Sequence, residues 1–264
     1  MMRNRISRSD LQEFMDEQVE RFNHPSFIEH DPISIPHRFD LKEDIEIAGF
    51  FAATLAWGNR KSIIKSGTTI MDLMDDAPYD YVLHAQKRDL KKLSGFVHRT
   101  FNGEDLTQFV LSLRHIYSAC GGMETLFAKG FDVNAAQGIA IFRNAFFEIA
   151  HTSRTTKHVS DPTSGSAAKR LHMFLRWMVR RDKRGVDFGI WKSISPSALS
   201  IPLDVHSGNI ARQLSLLKRK QNDAKAVEEL DAELRKLDPN DPVKYDFALF
   251  GLGVSGDWKK FGGQ

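Results

Sequence analysis

Residues 165–181 read GSAAKRLHMFLRWMVRR. Gly165 suits a tight turn, and a helix is expected from Ala167 to Arg181, with Leu171, Phe174, Leu175 and Met178 on its inner side. Lys169 falls early in that helix and shares a face with Met173, four residues on. A lysine near a helix start usually just faces solvent, so this one gains meaning only from the segments around it.

Two further stretches belong with it. SIPLDVHSGNIARQL, residues 200–214, places Asp204 where a helix N-cap belongs, with His206 and Ser207 in the first turn. A cap aspartate ordinarily satisfies orphan N–H groups, and the same N–H groups suit a phosphate. DPVKYDFALFGLGV, residues 241–254, starts on an acidic residue followed by Pro242, a strong helix-start signal. Inside its apolar run Asp246 and Phe250 are four apart on one face. A buried Asp246 needs partners for its charge. An internal cap or salt bridge is the plain reading of Asp246, and core packing that of Phe250.

The helical period continues outward to both ends. Leu11–Arg21, Lys42–Ala56, Ser62–Met74, Asp105–Tyr117, Gly122–Ala128, Ala135–Ala150, Val205–Leu217, Ala224–Leu237 and Pro242–Leu252 all carry it. HPSFIEHDPISIPHRF, with three prolines, reads as a long irregular loop, and residues 151–166 as a polar loop or linker. No run of alternating strands and no internal repeat is visible, so an all-α architecture is expected. The expected division is an N-terminal helix and loop over 1–40, then a helical domain over 41–264.

Composition limits the function. The 264 residues carry 37 Lys+Arg against 34 Asp+Glu, a formal net charge of +3, with 41% hydrophobic and 27% charged residues. These are values of an ordinary globular chain with room for a sizeable core. The single cysteine, Cys120, excludes a disulfide framework, a four-thiolate iron–sulfur cluster and a Cys-rich zinc site. The longest apolar stretch, Ala48–Trp57, is too short for a bilayer and reads as a buried helix. The start, MMRNRISRSD, lacks an apolar signal region and reads as uncleaved, which makes cytoplasm the expected compartment. Residues 169–184 concentrate Lys169, Arg170, Arg176, Arg180, Arg181, Lys183 and Arg184 against one acid, Asp182. A basic nucleic-acid-binding face and a solvated helix surface are both open on that pattern.

Together the three segments resemble the helix–hairpin–helix DNA glycosylase superfamily, above all the 8-oxoguanine DNA glycosylases of the archaeal type. That family has a Gly-x-Gly-Thr-Lys hairpin ending in a nucleophilic lysine and a Pro-Val-Asp-x-His segment carrying the catalytic aspartate. GSAAK sets Lys169 at the nucleophile and Gly165 in the DNA-binding hairpin. PLDVH sets Asp204 at the aspartate and His206 at a phosphate-contacting histidine. Met173 and Phe250 match the residues on either face of the purine, and Asp246 the acid that reads its edge. LAWGNRKSIIKSG, residues 55–67, resembles the turn whose Asn fills the gap left by the flipped base, here Asn59 with Arg60 beside it. Trp57 reads as a pocket or a core residue, core being the plainer reading.

The resemblance covers roughly residues 40–255 and implies two helical lobes with a cleft near Lys169 and Asp204. It implies base-excision repair of an oxidised purine in double-stranded DNA by a monomer, through a Lys Schiff base, with no cofactor and no metal. The full chain also resembles a bacterial family known only as a domain of unknown function. Two departures stand out. Ala167 occupies the place of the second hairpin glycine, where a left-handed backbone would strain it. Lys169 and Asp204 are 35 residues apart, more than in most of the superfamily.

Rival readings are a catalytically inactive nucleic-acid-binding protein of the same fold, and an all-α interaction protein. A metal hydrolase is less attractive. No His-x-x-x-His pair exists, and Glu148 with His151 is the sole Glu-x-x-His pair.

Overall fold

Ile45 to Leu55 is buried without a break, eleven residues in a row. A helix buried on every side is an interior helix, and this one, α2 (Lys42–Leu55), runs through the first of two hydrophobic cores. The computed structural model describes residues 7–256, so residues 1–6 of the start read above lie outside the described residues.

The described chain is all-α. After α1 (Arg8–Phe22) and α2 come α3 (Arg60–Leu73), α4 (Pro78–His84), α5 (Lys87–Lys92) and α6 (Gly103–Ala119). Then follow α7 (Met123–Phe131), α8 (Ala135–Phe146), α9 (Lys169–Val179), α10 (Val205–Gln213), α11 (Ala224–Leu237) and α12 (Tyr245–Ser255). A two-stranded antiparallel ribbon, Val97–His98 against Phe101–Asn102, is the sheet among the described residues. None of these helices is long and apolar enough to cross a membrane.

Residues 25–38, expected to be irregular, instead form three 3₁₀ turns that start at Pro25, Pro32 and Pro36. Proline fixes φ and lacks an N–H, which suits the first position of such a turn.

The first core is aromatic. Phe50 of α2 sits 5.6 Å from Phe109 of α6, 5.3 Å from Phe142 of α8 and 5.7 Å from Phe174 of α9, ring centre to ring centre. Rings at such separations add attraction beyond their buried area. Gly49 lets α2 and α9 approach, since a Cβ there would lie 3.1 Å from Met178 Cε. The second core gathers α1, α10, α11 and α12. There Phe22 of α1 packs on Gly251 of α12, where a Cβ would collide with the ring.

Helix α9 is neither a basic outer face nor a solvated one. Arg176 is 4% and Arg180 2% exposed. Arg176 donates to Asp187 at 3.2 Å and to Asp246. Arg180 donates to Asp187 at 3.1 Å, to Asp182 at 2.7 Å and to Asp241 at 3.0 Å. Arg170 donates to the Thr54 carbonyl. Asp182 and Asp187 lie close in sequence to the arginines they neutralise, while Asp241 and Asp246 come from the far end of the chain, where local charge counting misses them.

Glu124, in the first turn of α7, anchors the loop that carries the chain away from this network. It accepts from the backbone N–H of Lys192 at 2.7 Å and of Ser193 at 3.0 Å, and from Lys42 Nζ at 2.5 Å. Burial acts to raise its pKa, but the Lys42 ammonium and the Ser193 and Lys192 donors outweigh burial and lower it to about 2. A depressed carboxyl stabilises the fold above its unfolded pKa, and that contribution fades as pH falls toward about 2. Glu124→Gln is expected to cost about 2 kcal/mol at neutral pH. Urea denaturation should show the gap to wild type closing as the solution is acidified.

Candidate active site

The start of α9 is shaped by two left-handed residues. Gly165 has φ 94° and Ala168, the N-cap of α9, has φ 43° and ψ 35°. The strain expected at Ala167 therefore falls one residue later. A left-handed conformation costs an L-residue about 1–2 kcal/mol, and Ala168, 2% exposed, is held there by its surroundings. The Gly165 carbonyl accepts from the Ala224 N–H at 3.1 Å, tying the turn to the start of α11.

Lys169 is the first residue of α9, and its Nζ lies 3.9 Å from Asp204 Oδ2. Asp204 divides its carboxylate between two tasks. Oδ1 caps α10, accepting from the Ser207 N–H at 3.0 Å, while Ser207 Oγ accepts from the Asp204 N–H at 3.0 Å. Asn222 Nδ2 holds the Asp204 carbonyl at 2.9 Å. Oδ2 is the oxygen turned to Lys169. The ordinary cap and the lysine partner are thus the same residue, with one oxygen for each.

Asp246, in the first turn of α12, is 6% exposed, and Arg176 pairs with its Oδ2. Burial raises its pKa to about 6, against the pull of Arg176 and Lys169 and with the push of Asp204. The internal salt bridge weighed for Asp246 from sequence is therefore present, and it stands within electrostatic reach of the Lys169–Asp204 pair.

Phe250, one turn further along α12, belongs to neither core. The Arg60 guanidinium lies 5.2 Å from its ring centre and the His206 ring 6.1 Å from it, edge to face. Gly253 permits this closeness of α12 to α10, since a Cβ there would lie 2.9 Å from His206 Cβ. Met173 shares the Lys169 face of α9, is 9% exposed and packs with the first core. Asn59 N-caps α3 by accepting from the Ser62 N–H at 3.3 Å, which sets Arg60 at the helix start.

Sequence reasoning missed Asp31. Its side chain caps a 3₁₀ turn, accepting from the Ile33 N–H at 3.2 Å, and the residue is 7% exposed. Burial raises its pKa, while the Ile33 N–H and then the charges of Arg60, Arg176 and Lys169 lower it. Those three cations place Asp31 beside the same cluster. The Asp-Pro pair announces a turn and nothing more. A separate cavity of about 490 Å³, lined by Ser166, His172, Asp231 and Arg235 among others, includes neither Lys169, Asp204, Asp246 nor Phe250.

A family described as a protein of unknown function, DUF2400, matches residues 31–255. The chain belongs to the DUF2400 family. No curated protein and no solved structure matches it. The DUF2400 match opens on Asp31 and closes at the end of α12, so it spans every residue of the cluster. The chemistry of this DUF2400 site must come from its groups. They are a primary amine beside a carboxylate, a buried acid that ionises near neutrality, and a part-exposed aromatic ring flanked by Arg60 and His206.

Proposed function

We propose that this chain is a DNA glycosylase that excises an oxidised purine, 8-oxoguanine, from double-stranded DNA through a Lys169 Schiff base, with strand nicking to follow. The observation that carries the reading is the 3.9 Å approach of Lys169 Nζ to Asp204 Oδ2 across 35 residues of sequence.

Breaking the bond between base and sugar builds positive charge on the sugar, and the Asp204 carboxylate stabilises it. The bonding pair leaves with the purine. Lys169, as its free amine, forms a bond to the anomeric carbon, and loss of a proton with ring opening gives the Schiff base. β-Elimination then releases the 3′ phosphate. The target base must first leave the stack, and Phe250 with Met173 would hold its two faces. Asp246, ionised above about pH 6, only accepts hydrogen bonds, which suits the N1–H and 2-amino donors of guanine.

A second reading is a nucleic-acid-binding protein without the chemistry, favoured by the left-handed Ala168 in the turn that would meet the phosphates. Borohydride trapping on a duplex with one 8-oxoguanine separates the two. A covalent adduct supports the glycosylase, and salt-dependent binding with no adduct supports its rival. Phe250→Ala is expected to lower the preference for the lesion by about one to two orders of magnitude, as loss of a stacking platform worth about 1–3 kcal/mol requires. Competition between lesion and undamaged duplexes measures it, and an unchanged preference removes Phe250 from the pocket.

A further inference from the structure

The Glu148-x-x-His151 pair of the sequence does not act as a pair. His151 turns to its own loop, with Nδ1 2.9 Å from the Ile149 carbonyl and its ring 4.8 Å from that of Phe147. Glu148 instead meets His115 of α6, whose Nε2 is 2.9 Å from Glu148 Oε2. Cys120 Sγ is 3.6 Å from that same Nε2. One donor atom from each residue lies within 4.8 Å of the others.

The backbone fixes this meeting. Cys120 is the C-cap of α6, its N–H donating to the Ile116 carbonyl at 3.1 Å. Gly121 and Gly122 follow with φ 80° and 89°, a reversal that an L side chain resists. Glu148 lies just past the end of α8, where its N–H donates to the Ala145 carbonyl at 3.3 Å. Helices α6 and α8 are locked together by Phe109 and Phe146, whose ring centres are 4.8 Å apart. Three donors of different softness therefore sit on two helix ends anchored in the first core.

We propose that His115 Nε2, Cys120 Sγ and Glu148 Oε2 bind one zinc ion, or a similar borderline divalent cation, with a fourth position left to water. Zinc takes sulfur at about 2.3 Å and imidazole nitrogen at about 2.0–2.1 Å, so a tetrahedral site sets those two donors about 3.5 Å apart. The observed sulfur-to-nitrogen distance is 3.6 Å. The nitrogen-to-oxygen distance of 2.9 Å must open by a few tenths of an ångström, and the Glu148 side chain, 66% exposed, is free to move that far. A thiolate with an imidazole selects zinc over magnesium or calcium, which prefer all-oxygen sites. On binding, the Cys120 thiol gives its proton to solvent. The His115 ring gives up to solvent the Nε2 proton that it donates to Glu148, carries its remaining proton on Nδ1, taken from solvent where the ring starts neutral, and turns the freed Nε2 lone pair to the metal. None of these residues belongs to the Lys169 cluster, so the metal site does not depend on the glycosylase reading.

Cobalt(II), a coloured stand-in for zinc, tests the proposal on the full chain after chelation. One equivalent is expected to bind, with a thiolate-to-cobalt charge-transfer band in the near ultraviolet and ligand-field bands in the visible, all bleached by zinc. Cys120→Ser is expected to abolish the charge-transfer band. His115→Ala and Glu148→Gln should each weaken binding at least about tenfold, since even partners one shell further out are worth that much. Circular dichroism establishes that each variant is folded, and Glu148, being largely exposed, tolerates the change. Absence of the charge-transfer band in the wild-type chain overturns the proposal, as does its survival in Cys120→Ser or failure of zinc to displace cobalt.

Discussion

Lys169→Gln is expected to eliminate the borohydride-trapped adduct, because an amide nitrogen cannot attack the anomeric carbon. Asp204→Asn is expected to slow excision by about 10²–10³-fold, the usual effect of removing one preorganised group that stabilises a developing charge. The geometry makes Asp204→Asn an unusually clean test. Oδ1 serves the α10 cap and Oδ2 faces the lysine, and asparagine caps a helix about as well as aspartate. The substitution therefore keeps the fold and removes the charge, whereas Asp204→Ala would remove both at a cost of about 1 kcal/mol in stability. Single-turnover excision on a lesion duplex gives the rate, and urea denaturation verifies that the cap survives. If either variant cleaves at the wild-type rate, that residue has no part in the chemistry.

What could be read from the sequence follows the range of the forces concerned. Helix α11 was legible to the residue, since Asp223 caps it and its apolar period ends with Leu237. The interior character of α2 was legible from its unbroken apolar run. Helices α4 and α5, of seven and six residues, complete too few turns to show a period. The β-ribbon is two residues per strand, too short for alternation. The cap role of Asp204 was legible because a cap is a local bond, whereas that of Asn59 was not read, the helix after it being expected to start at Ser62 rather than Arg60. The burial of Arg176 and Arg180 was not, because Asp241 and Asp246 reach them through the fold. Asp31 was hidden for the same reason. Its neighbours in sequence spell a turn, and its meaning comes from Lys169, Arg60 and Arg176. The meeting of Cys120 with His115 and Glu148 was hidden because two of the three spacings cross helices.

The Arg176–Asp246 ion pair carries the other large effect, one on stability. Arg176 is nearly fully buried between Asp187 and Asp246, and Arg176→Met strands Asp246, while Asp187 keeps Arg180. Breaking a buried pair in this way costs about 3–5 kcal/mol. For a chain of this size that lowers the melting temperature by about 10 °C. The loss should be smaller at low pH. Asp246 already titrates at about 6 because burial disfavours its charge, and without Arg176 it takes a proton more readily still. Asp246→Asn should behave oppositely. A carboxyl whose folded pKa lies above its unfolded value costs stability once ionised, a penalty absent below about pH 4 and complete above about pH 6. Replacing Asp246 with a neutral amide removes that penalty along with the attraction to Arg176, so stability at neutral pH should change by no more than about 1 kcal/mol. Recognition should change far more, because the amide offers the purine edge a donor beside its single acceptor. Wild-type excision of 8-oxoguanine is expected to fall as pH drops through about 6, with that limb absent from Asp246→Asn. Thermal denaturation and lesion competition on the same preparations separate the two roles. An Asp246→Asn protein that loses several kcal/mol yet keeps the wild-type lesion preference would make Asp246 a structural acid and remove it from the pocket.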